Sequence, residues 1–332
     1  FGSARRVISL NDRLDGLISN NAVLFSRLMS IAYIESVKWS NAIEGIGSTD
    51  ERIRGIVLHN TEPVGHDENA ISGYRDALEL IHKSWHELPF DDITICGLHK
   101  AMYERIGGGG SFKATDNIII DRTRGEETIR WLPVPAIETE ENVQALVNAY
   151  REACGNPEID PMLLIPCVIL DFLCIHPFND GNGRMSRLLT LLLLYKSGYS
   201  VGKYISIEKQ IEKTKDRYYD ALEASDAGWH EEENDPTPFT RYMLRAILAC
   251  YMEFEDRVGL MSEKGLGSTA YDIVKRYTEE RIGKITGADV IAHCPSIGRS
   301  SALAALKKLT EEGIIIRQGS GRSTFYVRAD SK

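Results

Sequence analysis

The residues best placed to do chemistry lie in one stretch, Ile175-His176-Pro177-Phe178-Asn179-Asp180-Gly181-Asn182-Gly183-Arg184-Met185-Ser186-Arg187. His176 carries an imidazole that can accept a proton near neutral pH, which makes it a candidate general base. Asp180 offers a hard oxygen ligand, suited to a Mg²⁺ that arrives with phosphates. Gly181 and Gly183, flanking Asn182, permit backbone conformations closed to other residues and let a ligand approach the main chain. Free N–H groups at the start of a following helix form an anion-binding concavity. Arg184 and Arg187, three residues apart, fall on one face of that helix and can clamp phosphate oxygens in a fork. The stretch reads as a phosphate site with a base beside it. A polar turn between helices would explain the glycines, but not the histidine, the carboxylate and both arginines together.

Two apolar runs must hold this loop: Met162 to Ile175 before it and Leu188 to Tyr195 after it. Both are long enough for buried helices. From His176 to Arg187 the sequence resembles the H-P-F-x-D/E-G-N-G-R-x-x-R signature of Fic-domain proteins, matching nine fixed residues in a window of twelve. The resemblance implies a mainly α fold: a Fic-type helical core with a small β-hairpin flap, followed here by a winged helix-turn-helix domain. It also implies a protein adenylyltransferase, moving AMP from ATP to a Ser, Thr or Tyr hydroxyl of a target protein or of the chain itself. In that reading His176 takes the hydroxyl proton and Asp180 holds Mg²⁺ between the α- and β-phosphates. Gly181, Asn182 and Gly183 cradle phosphates through backbone N–H groups, with the Asn182 side chain adding a polar contact. Arg184 and Arg187 bind the β- and γ-phosphates.

Other segments resemble further parts of the same family. Ser40-Asn41-Ala42-Ile43-Glu44-Gly45 is similar to the S/T-x-x-x-E-G/N inhibitory motif, with Ser40 and Glu44 on one helical face. The resemblance implies that Glu44 pairs with Arg187, occupying the group meant for the γ-phosphate. Asp116 to Ile120 and Thr128 to Trp131 are β-rich runs around a polar turn containing Gly125, and predict a hairpin. In the family such a flap, here Ile118, Ile119 and Ile120, holds the target by strand addition; a hairpin with no such role fits the residues equally. Lys215-Asp216-Arg217-Tyr218-Tyr219-Asp220-Ala221-Leu222 resembles the helix that closes the nucleotide pocket. Tyr218 and Tyr219 fit either an adenine platform or the core.

The remaining chain divides at a Gly- and Ser-containing linker, Ser262 to Ser268. Expected boundaries are 1–95 for an N-terminal helical region carrying the inhibitory motif, 96–258 for the Fic core and 267–332 for the winged helix. Residues 5–20 are polar and charged and read as an exposed leading segment. Helical spacing covers 23–44, 51–59, 68–86, 94–106, 138–153 and 239–258. His82 and His86, four apart, read as solvated helix residues, and His99 as a satisfied structural histidine. Beyond the linker, helices over 270–278, 286–292 and 300–311 precede a hairpin over 314–327. Pro295 to Ser301 would turn into a recognition helix. Arg299, Lys307, Lys308 and Arg322 could meet DNA phosphates. Protein docking or dimerisation, giving a homodimer, is the alternative use of that domain.

The chain has 332 residues, 43% hydrophobic and 26% charged, which suits a globular protein with a substantial core. Its net charge of −9 argues against a molecule-wide affinity for nucleic acid or membrane. Residues 267–332 run against that balance, with eleven Lys/Arg to seven Asp/Glu, +4, leaving −13 for the rest. The six cysteines are scattered and form no C-x-x-C pair, so they read as reduced core thiols of a cytoplasmic protein. No signal peptide is visible, no run is long enough to span a bilayer, and the start at Phe1 reads as trimmed. Three other readings share these residues: a Fic-like enzyme with another donor (phosphocholine, UMP or phosphate), one that removes AMP, and a DNA-binding regulator that senses nucleotide.

Overall fold

The computed structural model describes residues 2–18, 22–123, 126–262, 269–280, 283–294 and 297–329. Gly125, most of the expected linker and Pro295–Ser296 lie outside them. In chain order the elements are α1 (Gly2–Ile18), α2 (Ala22–Ile43), α3 (Asp50–His59), α4 (Gly65–Ser84) and α5 (Asp92–Tyr103). A hairpin, β1 (Ile119–Thr123) and β2 (Glu126–Trp131), precedes α6 (Thr139–Cys154), α7 (Pro161–Ile175) and α8 (Asn182–Lys196). Then come α9 (Ile207–Lys213), α10 (Lys215–Asp226) and the long α11 (Thr237–Ser262). The last part holds α12 (Ala270–Glu280), β3 (Ile285–Thr286), α13 (Gly287–His293), α14 (Arg299–Glu311), β4 (Ile315–Gln318) and β5 (Phe325–Arg328).

The fold is mainly helical, and α8 is its axis. Every side chain from Arg184 to Tyr195 is buried, and along its second half, Leu188 to Leu194, leucines on nearly every face leave the helix no side to turn to water. Antiparallel neighbour α7 starts on a side-chain cap, Asp160 accepting from the Met162 N–H at 2.8 Å, with Pro161 in the first turn where its missing N–H costs nothing. It ends at His176, whose φ of 52° turns the chain left-handed, with its N–H still donating to the Phe172 carbonyl. The reversal that makes the loop is therefore built on the histidine itself.

The leading segment departs from expectation. Rather than an exposed polar segment, it is a helix whose Ala4, Val7, Leu10 and Leu14 are all buried against the main core. Their spacing of three, three and four is one helical face, hidden in the sequence by interleaved arginines and aspartates. Asn11 pins it further, donating to the Gly198 carbonyl at 3.0 Å and accepting from Tyr251 at 2.6 Å.

Residues 273–326 gather around a second hydrophobic cluster of their own. Helices stand where periodicity places them, and α13 starts on a capping box between Thr286 and Asp289. The hairpin β4–β5 forms, with Ile316 opposite Val327. A third strand not foreseen from sequence, β3, pairs with β5 to give the order β3-β5-β4.

Candidate functional site

His176 closes α7 with its ring mostly enclosed. Its Nδ1 lies 3.3 Å from the Leu173 carbonyl, which fixes a proton there and leaves Nε2 with a free lone pair. Burial lowers its pKa to about 4, with the Lys113 ammonium pushing the same way, so the ring is neutral at pH 7. A neutral imidazole with an open nitrogen can receive a proton.

The loop after it is tied down at several points. The Asn182 amide bonds Phe178 in both senses, accepting from its N–H at 3.0 Å and donating to its carbonyl at 2.7 Å. That use corrects one expectation: the Asn182 side chain is buried and spent in holding the loop, not offered to a phosphate. Gly181 has a φ of 82°, and a Cβ there would meet Met102 and Tyr103 at 2.8 Å. Lys113, which sequence reasoning missed, braces the other end, its Nζ donating to the Ile175 carbonyl at 3.2 Å and its N–H to the Pro177 carbonyl at 2.9 Å. Burial lowers this ammonium's pKa to about 8.

Two further residues escaped the sequence reading of the site, both from α5. The His99 ring stacks on Phe178 at 3.7 Å between centroids and 6° between planes. Its Nδ1 accepts from the Gly110 N–H and its Nε2 reaches the Asp180 carbonyl, each at 3.1 Å. It is thus a satisfied histidine, as expected, and what it satisfies is the loop. Tyr103 donates to the Asp180 carboxylate and accepts from Arg184 Nη2 at 2.8 Å. Two polar residues four apart on the buried face of an otherwise apolar helix were the available signal.

Asp180 itself points outward. Partial burial works against its charge, but the Tyr103 hydroxyl and Arg184 prevail and hold its carboxyl below the ordinary value. An ionised, exposed carboxylate fits a Mg²⁺ as a single protein ligand. No group of three His, Cys, Asp or Glu is assembled among the described residues, so such an ion would draw its other ligands from phosphate oxygens and water.

The two arginines are in contrasting states. Arg184 is only 2% exposed, yet its Nε and Nη1 have no hydrogen-bond partner. A buried guanidinium with unused donors costs free energy until an acceptor arrives. Arg187 is engaged through two of its nitrogens: Nε donates to Ser40 Oγ at 2.8 Å, and Nη2 to the Ser40 carbonyl at 2.8 Å and to Glu44 Oε1 at 2.7 Å. Glu44 follows the last residue of α2, beside Gly45 at φ 78°. Its carboxylate lies over the first turn of α8, where a Cβ at Gly183 would sit 2.3 Å from Oε1.

Farther out, Tyr218 is buried among Phe239, Tyr242 and Tyr219, with centroids 5.2–5.7 Å away, while Tyr219 remains half-buried. Of the two, only Tyr219 retains a face for a ligand. In the hairpin Ile118 and Ile120 are exposed and Ile119 is turned in, with a register shift between Ile119 and Ile120. Trp131 anchors it through its indole N–H to the Cys174 carbonyl at 2.9 Å, and Arg130 pairs with Asp226 at 2.9 Å.

Away from the site, several expectations change. His82 is not a solvated residue: it is half-buried, 3.3 Å from the Tyr195 hydroxyl, and the partial burial lowers its pKa to about 4. His86 is exposed beside Glu87, so the two share no metal site. Of the six cysteines Cys174, Cys250 and Cys294 are buried in the core, whereas Cys154 is exposed. Arg299 is exposed at the start of α14; Lys307 and Lys308 each lie within 3.9 Å of a glutamate one turn on, which blunts their charge. The Arg322 side chain lies outside the described set. No helix among the described residues is long and apolar enough to cross a membrane.

Residues 89–194 match the Fic/DOC family. Among similar proteins is the protein adenylyltransferase fic-1 of Caenorhabditis elegans, 27% identical over 269 residues, covering 80% of this chain and 49% of that protein. The protein adenylyltransferase Fic of Nematostella vectensis is 27% identical over 257 residues, 71% of this chain and 52% of that one. The chain thus spans about half the length of these relatives. Among solved structures, a Fic family protein from Desulfovibrio desulfuricans G20 superposes with a TM-score of 0.61 at 18% identity, covering 100% of this chain and 97% of that one. A Fic domain containing signaling protein from Bacteroides thetaiotaomicron VPI-5482 gives 0.63 at 19% identity, covering 75% of this chain and 95% of that one.

Proposed function

From a chain that contains a Fic domain, we propose a protein adenylyltransferase that transfers AMP from ATP to a hydroxyl side chain of a target protein or of itself. The observation that carries this reading is Arg184, a buried guanidinium with two unused nitrogens at the N-terminus of a buried helix. Such an arrangement holds anions, and beside it stands a neutral histidine with one free nitrogen.

In the reaction His176 Nε2 takes the proton of the target hydroxyl as that oxygen bonds to the α-phosphorus. The bond from the α-phosphorus to the bridging oxygen breaks, and pyrophosphate leaves with its electron pair. Arg184, Arg187 and the backbone N–H groups of Asn182 and Gly183 stabilise the charge gathered there. Phosphoryl-type transfer needs little more than such positioning and charge stabilisation. Mg²⁺, held by Asp180, would supply further neutralisation on the phosphates. Tyr219 would bear on the adenine. The open edge of the hairpin would take an extended target segment by backbone pairing, which tolerates varied side chains.

Glu44 would keep this enzyme nearly silent: it holds Nη2 of Arg187, and Arg187 is the group that would take the γ-phosphate. The test is incubation with α-labelled ATP and Mg²⁺ of wild type, Glu44→Gly, and Glu44→Gly/His176→Ala, with γ-labelled ATP in parallel. The expected result is α-label on protein in Glu44→Gly alone. Label from the γ-position only would replace AMP transfer with phosphate transfer, and α-label that survives loss of His176 would remove the catalytic assignment.

A further inference from the structure

A second charged cleft lies between α10 and α11, away from the loop just described. It encloses about 320 Å³, and its wall includes Gln210, Thr214, Arg217, Arg241, Tyr242 and Arg245. That size reaches the lower range of small-molecule sites. The three arginines are exposed, and among the described residues none forms a hydrogen bond or an ion pair within 4.0 Å, although Asp235 acts on Arg241 at longer range. In a chain with nine more acids than bases, three unpaired guanidiniums around one hollow are a departure from the prevailing charge.

The arrangement is also locally unfavourable as it stands. Arg241 and Arg245 are four apart on α11, a like-charge pair on one face, and like charges at that spacing destabilise a helix. The acid just before that helix, Asp235, accepts from the Thr237 N–H at 2.9 Å and reaches Arg241 only through a weaker, longer-range attraction. Gln210 is likewise turned to Glu253. An anion bridging the three guanidiniums would remove the repulsion and use their forked donors.

The rest of the lining narrows the ligand. Three alanines and a proline make an apolar floor, and the Tyr242 ring is fixed by a 2.9 Å hydrogen bond between its hydroxyl and Thr214. Cationic rim, small apolar floor and one clamped aromatic ring suit a molecule with phosphates at one end and a flat apolar group at the other. Tyr218 separates this cleft from the catalytic loop: its ring packs on Tyr242 on one side, while Arg187 is felt on the other. We propose that the cleft between α10 and α11 is a second binding site, for a phosphorylated small molecule of nucleotide type, held by Arg217, Arg241 and Arg245.

The site is tested by calorimetric titration of the full chain with ADP and with pyrophosphate, in wild type and in Arg241→Gln/Arg245→Gln. All three arginines are exposed, so the variant should melt like wild type, and Arg217→Gln provides an independent check. Two sites in wild type and one in the variant is the expected result, the missing site weakened at least tenfold. One site in wild type that disappears in the variant would also support the cleft, while showing that the catalytic loop does not bind nucleotide in this state. Equal stoichiometry and affinity in both proteins would overturn the proposal. So would arginine-dependent binding of a glutamate-rich peptide without binding of either phosphate probe, which would assign the cleft to a protein partner.

Discussion

Replacing Gly183 by alanine should activate the protein, although the residue lies in the anion-binding loop itself. Gly183 is in the first turn of α8 and its φ is not positive, so the backbone accepts a side chain. A helical Gly→Ala change gains about 0.5–1 kcal/mol. The new Cβ, however, would lie 2.3 Å from Glu44 Oε1, more than an ångström inside ordinary contact. The yielding atom belongs to a flexible side chain, so the carboxylate withdraws and its 2.7 Å bond to Arg187 is lost. A charged hydrogen bond is worth about 1.5–3 kcal/mol. With Glu44 a third exposed, solvent screening reduces this to roughly 1–2 kcal/mol. Affinity for triphosphate should rise about 5- to 30-fold, with transfer rising in step. The control is Glu44→Gly against Glu44→Gly/Gly183→Ala. Equal activity in that pair shows that the methyl group acts on Glu44 and not on the nucleotide. A Gly183→Ala protein no more active than wild type, with Glu44 still 2.7 Å from Arg187 in its crystal structure, would refute the reasoning.

Other consequences are open to direct measurement. Tyr103→Phe removes the hydroxyl between Arg184 and Asp180, and should weaken ATP binding several-fold while leaving Tm within a few degrees; calorimetry and a melt separate the two. Leu14→Ala should cost about 2–5 kcal/mol in urea unfolding, because α1 is a packed helix; a change near zero would return residues 2–18 to the surface. His82, His99 and His176 each have a pKa lowered to about 4, burial being the first cause in all three. The unfolded chain therefore binds more protons between about pH 4 and 6.5, and stability falls as pH descends through that window. The loss should be on the order of 2 kcal/mol per histidine, and His82→Phe should flatten the slope between pH 7 and 5 in urea titrations.

What could be read from the sequence follows from distance along the chain. His176 to Arg187 is legible because the loop and its helix are consecutive, so residue types and order alone place a base beside an anion site. Ser40 and Glu44 are legible as a helical face, but their partner is more than 140 residues on, and only the family resemblance named it. Nothing in the sequence joins His99 and Tyr103 to Asp180, since their roles arise from the docking of α5 against the loop some 80 residues later. Lys113 was missed for the same reason. His82 was misread by ignoring its own face: it lies one turn beyond the buried Leu78. The α1 stripe was obscured by charges that occupy the other side of the helix. Helix positions came from periodicity; the short β3 had none to offer, with only two residues.

The immobility of α8 has a consequence for how such a protein can be controlled. Both arginines stand on a helix enclosed on every side, so neither can be withdrawn or supplied without opening the core. Glu44 stands just past the last turn of α2, one residue before a left-handed glycine, with Lys215 of α10 donating to the Ile43 carbonyl beside it. If Glu44 inhibits as proposed, the adjustable part would be a single carboxylate and the end of the helix that carries it. Switching would be a matter of one helix terminus fraying, with an energy scale of a few hydrogen bonds, and the arginines would remain a fixed template throughout.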